Sequence, residues 1–278
     1  MTRLSTCFDA LRADNRKAVI PYIVAGDPSR EGTVTLMHRL VDAGADIVEL
    51  GVPFSDPMSE GPVIQKGHER ALANGISLRD VLAMVTEFRE HNTDTPVVVM
   101  GYANPVERMG YASFADACAQ AGVDGLITVD LPPEEVKPLN AELTRVSIDN
   151  IFLISPTTPE ARIKTIAESA SGFIYYVAVK GVTGAGHLNT ADVSSYMSKI
   201  KVQTALPVCV GFGIKDAASA SAVASVADGA VVGSALIDTM AQAMAGGDSE
   251  QTAADRAIAL FADIRQGVDH VSRGELAS

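Results

Sequence analysis

A closed (β/α)8 TIM barrel of the α/β class, with extra helices at its N-terminal and C-terminal ends, is the fold the sequence predicts, as a single domain over residues 1–278. Eight short runs rich in Val and Ile recur along the chain, each bounded by Gly, Pro or Asp. The runs are apolar throughout, which implies burial on both faces. Each run is followed by a segment with helical apolar spacing, and strict strand-then-helix alternation implies parallel strands joined by right-handed crossovers. Eight such units in one domain close a barrel.

Taken in order, Leu4, Cys7, Phe8 and Leu11 lie at helical spacing ahead of the first strand and predict a helix that plugs or caps the barrel. The first strand is expected over Ala18–Val24. Asp27 and Pro28 read as a cap residue with proline at the first helical position, opening a helix whose apolar face is Val34, Met37, Leu40 and Val41. Further strands are expected over Asp46–Leu50, Pro96–Met100, Gly125–Val129, Asn150–Ile154, Gly172–Val177, Leu206–Val210 and Gly229–Val232. The helices between them read at Leu78–Arg89, Tyr111–Ala121, Pro133–Leu143, Pro159–Ser169, Thr190–Ile200 and Lys215–Ala224. Gly246 and Gly247 close one more helix, and Ile258, Phe261, Ile264 and Val268 mark the face of a last amphipathic one. A doubly wound open sheet is the competing arrangement, but Gly26, Asp27 and Pro28 after the first strand give no dinucleotide fingerprint.

Composition narrows the function. With 47% hydrophobic and 20% charged residues the chain has ordinary globular make-up. No run approaches the ~18 apolar residues of a membrane helix. Asp9 and Asp14 interrupt any signal-peptide layout, so a cytoplasmic location is expected. Cys7, Cys118 and Cys209 are odd in number and widely spaced, which favours reduced thiols over disulfides or a metal cluster. A net charge of -12 without a basic run makes nucleic acid and anionic membranes poor partners, so an anionic ligand has to be held locally. His38, His68, His91, His187 and His270 show no metal-ligand spacing, and no catalytic metal is expected.

In a (β/α)8 barrel the loops after the strands build the active site. Glu49 ends the second apolar run, where an ionised carboxylate loses hydration; no basic residue lies between Arg39 and Lys66 to pair with it, so its pKa is expected to rise as a general acid or base requires. The alternative is a structural ion pair with a basic residue from elsewhere in the chain. Glu60 lies in the following loop, stiffened by Pro53, Pro57 and Pro62, and reads either as a second acid aimed over the barrel mouth or as a solvated loop charge. Asp56 between Ser55 and Pro57 fits simple turn chemistry. Glycine-bearing turns after strands six, seven and eight, Gly181–Gly186, Gly211-Phe212-Gly213 and Gly233-Ser234, converge in a barrel, and helices starting after the last two add positive dipole ends. Together they suit a phosphate held without Lys or Arg. Lys180 stands where a Schiff-base lysine could, although a solvated lysine beside a glycine loop is the plainer reading.

Residues 48–57 (Val-Glu-Leu-Gly-Val-Pro-Phe-Ser-Asp-Pro), 61–65 (Gly-Pro-Val-Ile-Gln), 180–184 (Lys-Gly-Val-Thr-Gly) and 211–214 (Gly-Phe-Gly-Ile) closely resemble the tryptophan synthase alpha chain family. The resemblance extends from Ile20-Pro21-Tyr22 through Tyr102-Ala103-Asn104-Pro105 and Asp130-Leu131-Pro132 to Gly233-Ser234. It implies a lyase that cleaves indole-3-glycerol phosphate to indole and glyceraldehyde 3-phosphate, carries no cofactor of its own, and passes indole to a pyridoxal-phosphate-dependent beta chain in an alpha2beta2 assembly. By the same resemblance Glu49 is the catalytic acid and base, Glu60 accepts the indole N–H, and Tyr175 is an active-site tyrosine. Gly184, Gly213, Gly233 and Ser234 hold the phosphate; Tyr22, Met100, Ile127, Leu153 and Phe212 line the indole pocket; Pro53, Asp56 and Asn104 face the partner. The loops Pro53–Pro62 and Val179–Leu188 are implied to be closing lids. Glu60 departs from the family's best-known members, which have Asp, and a misplacement near one ångström can cost on the order of a hundredfold in rate. Two other readings remain, a Schiff-base phosphosugar aldolase using Lys180 and a non-catalytic allosteric partner of the beta chain.

Overall fold

The computed structural model describes residues 1–178, 190–211 and 213–272. Eight parallel strands close a barrel in sequence order: β1 (Ala18–Val24), β2 (Val48–Gly51), β3 (Val97–Gly101), β4 (Gly125–Thr128), β5 (Asp149–Ile154), β6 (Ile174–Val177), β7 (Val208–Gly211) and β8 (Gly229–Val232). The side-chain period of two sorts each strand. In β1, Val19 and Ile23 face the surrounding helices, while Ile20, Tyr22 and Val24 enter an inner cluster with Val98, Ile127, Ile151, Phe173, Cys209 and Val231. The barrel interior is thus a packed core.

A helix, α1 (Arg3–Ala13), plugs one end as its spacing predicts, with Leu4, Phe8 and Leu11 buried in that inner cluster. Around the strands run α2 (Arg30–Asp42), α3 (Pro62–Ala73), α4 (Leu78–Arg89), α5 (Ala103–Met109), α6 (Tyr111–Ala121), α7 (Lys137–Arg145), α8 (Glu160–Ser169), α9 (Thr190–Gln203), α10 (Ala217–Ala224) and α11 (Ser234–Ala245). The last helix, α12 (Glu250–Ser272), lays Phe261, Ile264 and Val268 into the outer core against α10 and α11. Among the described residues no helix is long and apolar enough to cross a membrane.

Several boundaries differ from the expected ones for identifiable reasons. Asp46 precedes β2 instead of opening it: its carboxylate accepts the Val19 N–H at 2.8 Å and pairs with Arg265 of α12 at 2.7 Å. Asp27 does not cap α2. Ser29 does, accepting the Gly32 N–H, while Asp27 takes a two-pronged ion pair from Arg70 of α3 at 2.7 and 2.8 Å. The segment from Pro133 to Glu135 forms a turn and Val136 caps the helix, so α7 begins at Lys137. Neither α3 nor α5 is anticipated by the apolar spacing, and both lie at the C-terminal mouth of the strands, α3 carrying the chain away from the β2 loop.

Candidate active site

Glu49 is held inside the barrel by its neighbours. Val48 and Leu50 face the helix layer, so the strand period turns Glu49 inward, level with Tyr22 on β1 and Val98 on β3. It is 0% exposed, and neither carboxylate oxygen has a hydrogen-bond partner among the described residues. The ion-pair alternative therefore finds no partner there. Burial, and secondarily the charge of Glu60, pushes the carboxyl up to about 8. A neutral acid at pH 7 that can still ionise is what proton shuttling needs.

Glu60 is no solvated loop charge. Its side chain is only 5% exposed, and Oε2 lies 2.8 Å from Nε2 of His68 on α3. The loop that carries it is pinned at several points. Phe54 stacks on Tyr102 with ring centres 4.8 Å apart, the Ser59 N–H donates to the Tyr102 hydroxyl at 3.3 Å, and Gln65 Nε2 donates to the Glu60 carbonyl at 3.0 Å.

Two tyrosines share the lumen. Tyr175 on β6 is level with Leu153 and Cys209, and burial with the nearby Glu49 charge raises its phenol well above the usual value. Tyr22 is raised similarly by burial and by Glu60 and Glu49. Both rings rest on strand-end glycines: a Cβ at Gly211 would stand 2.2 Å from the Tyr175 hydroxyl, and one at Gly51 2.3 Å from the Tyr22 hydroxyl. Because Tyr22 is packed at 4% exposure, Gly51→Ala is expected to destabilise the fold by about 1–3 kcal/mol, read as a lowered urea midpoint with unchanged slope.

The anion end is narrower than expected. Asp216 caps α10, accepting the Ser219 N–H at 2.8 Å, so a carboxylate already occupies that helix N-terminus. Gly233 caps α11 with no side-chain bond, which leaves the first N–H groups of that helix, starting at Ser234, for an incoming anion. Gly213 is exposed in the turn after β7 at φ +72°, a conformation that favours glycine. Gly184, Phe212, Lys180 and the loop Val179–Leu188 lie outside the described residues.

Of the apolar wall, Ile127 is fully buried while Met100 and Leu153 are partly exposed at the strand ends. Asp56 and Asn104 are exposed, but Pro53 is buried within the chain and offers little surface to a partner; it packs where the β2 loop leaves the barrel. His68 and Tyr102 escape a sequence reading. The available signal was Ile64, Gly67, His68 and Ala71 at helical spacing after Pro62, too poor in large apolar residues to register as a buried face.

A closed parallel barrel with a buried carboxyl at a strand end that has no partner among the described residues, a second acid near it and a helix N-terminus without a side-chain cap at the mouth defines a (β/α)8-barrel enzyme. The family profile described as Tryptophan synthase alpha chain matches residues 8–268. The tryptophan synthase alpha chain of Thiobacillus denitrificans is 54% identical over 273 residues, 98% of each chain. That of Marinobacter nauticus is 57% identical over 242 residues, 87% of this chain and 90% of its own. Among solved structures, tryptophan synthase subunit alpha from Legionella pneumophila superposes with a TM-score of 0.90 at 44% identity, covering 97% of this chain and 99% of that one. Tryptophan synthase from M. tuberculosis in its aminoacrylate-bound form gives 0.85 at 35% identity, covering 96% and 100%. The chain belongs to the tryptophan synthase alpha chain family.

Proposed function

We propose that this chain cleaves indole-3-glycerol phosphate to indole and glyceraldehyde 3-phosphate in the cytoplasm. The observation that carries the reading is Glu49, fully buried and without a hydrogen-bond partner among the described residues, whose burial pushes its carboxyl up to about 8. The acid form donates its proton to C3 of the indole ring. The resulting carboxylate then takes the proton of the hydroxyl on the adjacent glycerol carbon as the carbon–carbon bond breaks; that carbon becomes the aldehyde carbonyl and Glu49 is returned as the acid. Glu60, held beside Glu49, accepts the ring N–H and offsets the positive charge that develops once C3 is protonated. Tyr22, Met100, Ile127 and Leu153 offer the flat heterocycle apolar surface, and the N-terminus of α11 at Gly233 and Ser234 takes the phosphate without a cation.

No cofactor of its own enters this chemistry. The indole is consumed by a pyridoxal-phosphate-dependent beta chain in an alpha2beta2 assembly, docked over the exposed Asp56 and Asn104, which favours closure of the loops at the barrel mouth.

Indole release from indole-3-glycerol phosphate by the purified chain, alone and with a beta chain, tests the reading. Slow release strongly accelerated by the beta chain is expected. No release in either case, with the beta reaction still stimulated, would instead assign a regulatory binding role.

A further inference from the structure

His68 belongs to no part of that reaction, yet its ring is wholly committed. It is 1% exposed in the middle of α3. Its Nδ1 accepts the Phe54 N–H at 3.0 Å, and its Nε2 meets Glu60 Oε2 at 2.8 Å, with the Tyr22 hydroxyl a longer 3.4 Å away. An acceptor nitrogen carries no proton, so the backbone N–H of Phe54 fixes the tautomer: the ring proton sits on Nε2 and is donated to Glu60.

The post that bears this ring is rigid. Two residues further along the helix Arg70 grips Asp27, and just past its end Asn74 Nδ2 donates to the carbonyls of Gly26 and Pro28 at 3.0 and 2.7 Å. Gly67 lets the helix lie against β1, where a Cβ would stand 3.0 Å from Asp27 Oδ2 and 3.3 Å from Val24 Cγ2. The imidazole therefore joins a fixed helix to two points of the β2 loop, its start at Phe54 and its functional carboxylate at Glu60.

We propose that His68 is the positioning residue for Glu60. It occupies Oε2, so that an incoming ring N–H meets Oε1, and it makes this pose depend on the docking of the loop through Phe54. The longer glutamate fits the same design. Shortening it to aspartate withdraws the carboxylate by about 1.5 Å and breaks the 2.8 Å bond, so Glu60→Asp is expected to slow this chain even though Asp serves elsewhere in the family.

The inference rests on the proposed cleavage, and paired variants test it separately. An asparagine amide oxygen stands near the place of Nδ1, whereas a glutamine amide NH2 reaches the place of Nε2. In steady-state indole release, His68→Asn is expected to lower kcat about 10- to 100-fold with KM changed less than about threefold, and His68→Gln to recover most of that loss. In a Glu60→Gln background, His68→Asn should cost little more, since its route of action is already gone. Full, additive losses in both backgrounds, or a His68→Asn enzyme within about twofold of wild type, would overturn the proposal. Imidazole 15N shifts read the strut without turnover: protonation at Nε2 supports it and a proton on Nδ1 refutes it. An inactive wild-type chain with the proton on Nε2 would reject the cleavage reaction while supporting the strut.

Discussion

Glu49→Gln is expected to lower indole release by about a thousandfold or more while leaving substrate binding within a few-fold of wild type. In the proposed cleavage the same group handles both protons, and general acid–base catalysis by one positioned side chain is worth about 10²- to 10⁴-fold. Glutamine keeps the volume and needs no desolvation of charge, so the site should remain built. The comparison that checks it is single-turnover release against equilibrium binding of the substrate. Near-normal turnover in the variant would remove Glu49 from the chemistry. The pH dependence of the wild type adds a second arm. With the carboxyl at about 8 and the acid form needed first, kcat/KM should be level near neutrality and fall as pH rises past about 8. A rate that climbs through the same interval would show that the ionised form acts first.

What was legible in the sequence follows from how local each signal is. The strands could be read because burial on both faces requires continuous apolar runs, and Glu49 stood out because it breaks such a run with no base nearby. Helix α3 was invisible because the face it buries is filled by Gly67, His68 and Ala71, where a large aliphatic residue would normally give the periodicity away. The true role of Asp27 has no local signal, because Arg70, the partner that claims it, is 43 residues away. The glycine turn before α10 suits a phosphate in the sequence, but Asp216 caps that helix by accepting the Ser219 N–H while α11 has no side-chain cap, a difference that appears only in three dimensions. Glu60 could be read either as an acid over the mouth or as a surface charge. The deciding fact, a histidine on the following helix that reaches back to the loop, depends on how Pro53 to Pro62 folds over the barrel.

The second large effect concerns stability. Glu49 should make the fold less stable as pH rises, and Glu49→Gln should abolish that dependence. In the unfolded chain the carboxyl ionises near its ordinary value of 4.5, whereas in the barrel it holds its proton until about 8. Below 4.5 both states are protonated and the group is neutral in the balance. Between those values the folded state binds the extra proton, so raising the pH favours unfolding. Above about 8 both states are ionised and the whole contribution has been lost. At about 1.4 kcal/mol per unit the loss amounts to a few kcal/mol, a sizeable share of a domain's stability. Urea midpoints of the wild type and of Glu49→Gln at pH 5 and pH 9 isolate it together with its coupling to Glu60, because titration of carboxyls that do not interact with Glu49, such as the burial-raised Asp46, cancels in the difference. The variant should gain on the wild type by a few kcal/mol between the two conditions, and parallel behaviour would show that Glu49 is not held neutral. Glu60 supplies part of the effect, so Glu60→Gln should move the transition to lower pH without removing it. A residue that weakens the fold most where it is ionised is a poor structural choice. Its burial with no partner among the described residues is therefore better explained by the proton it moves in the proposed reaction than by the barrel it helps to fill.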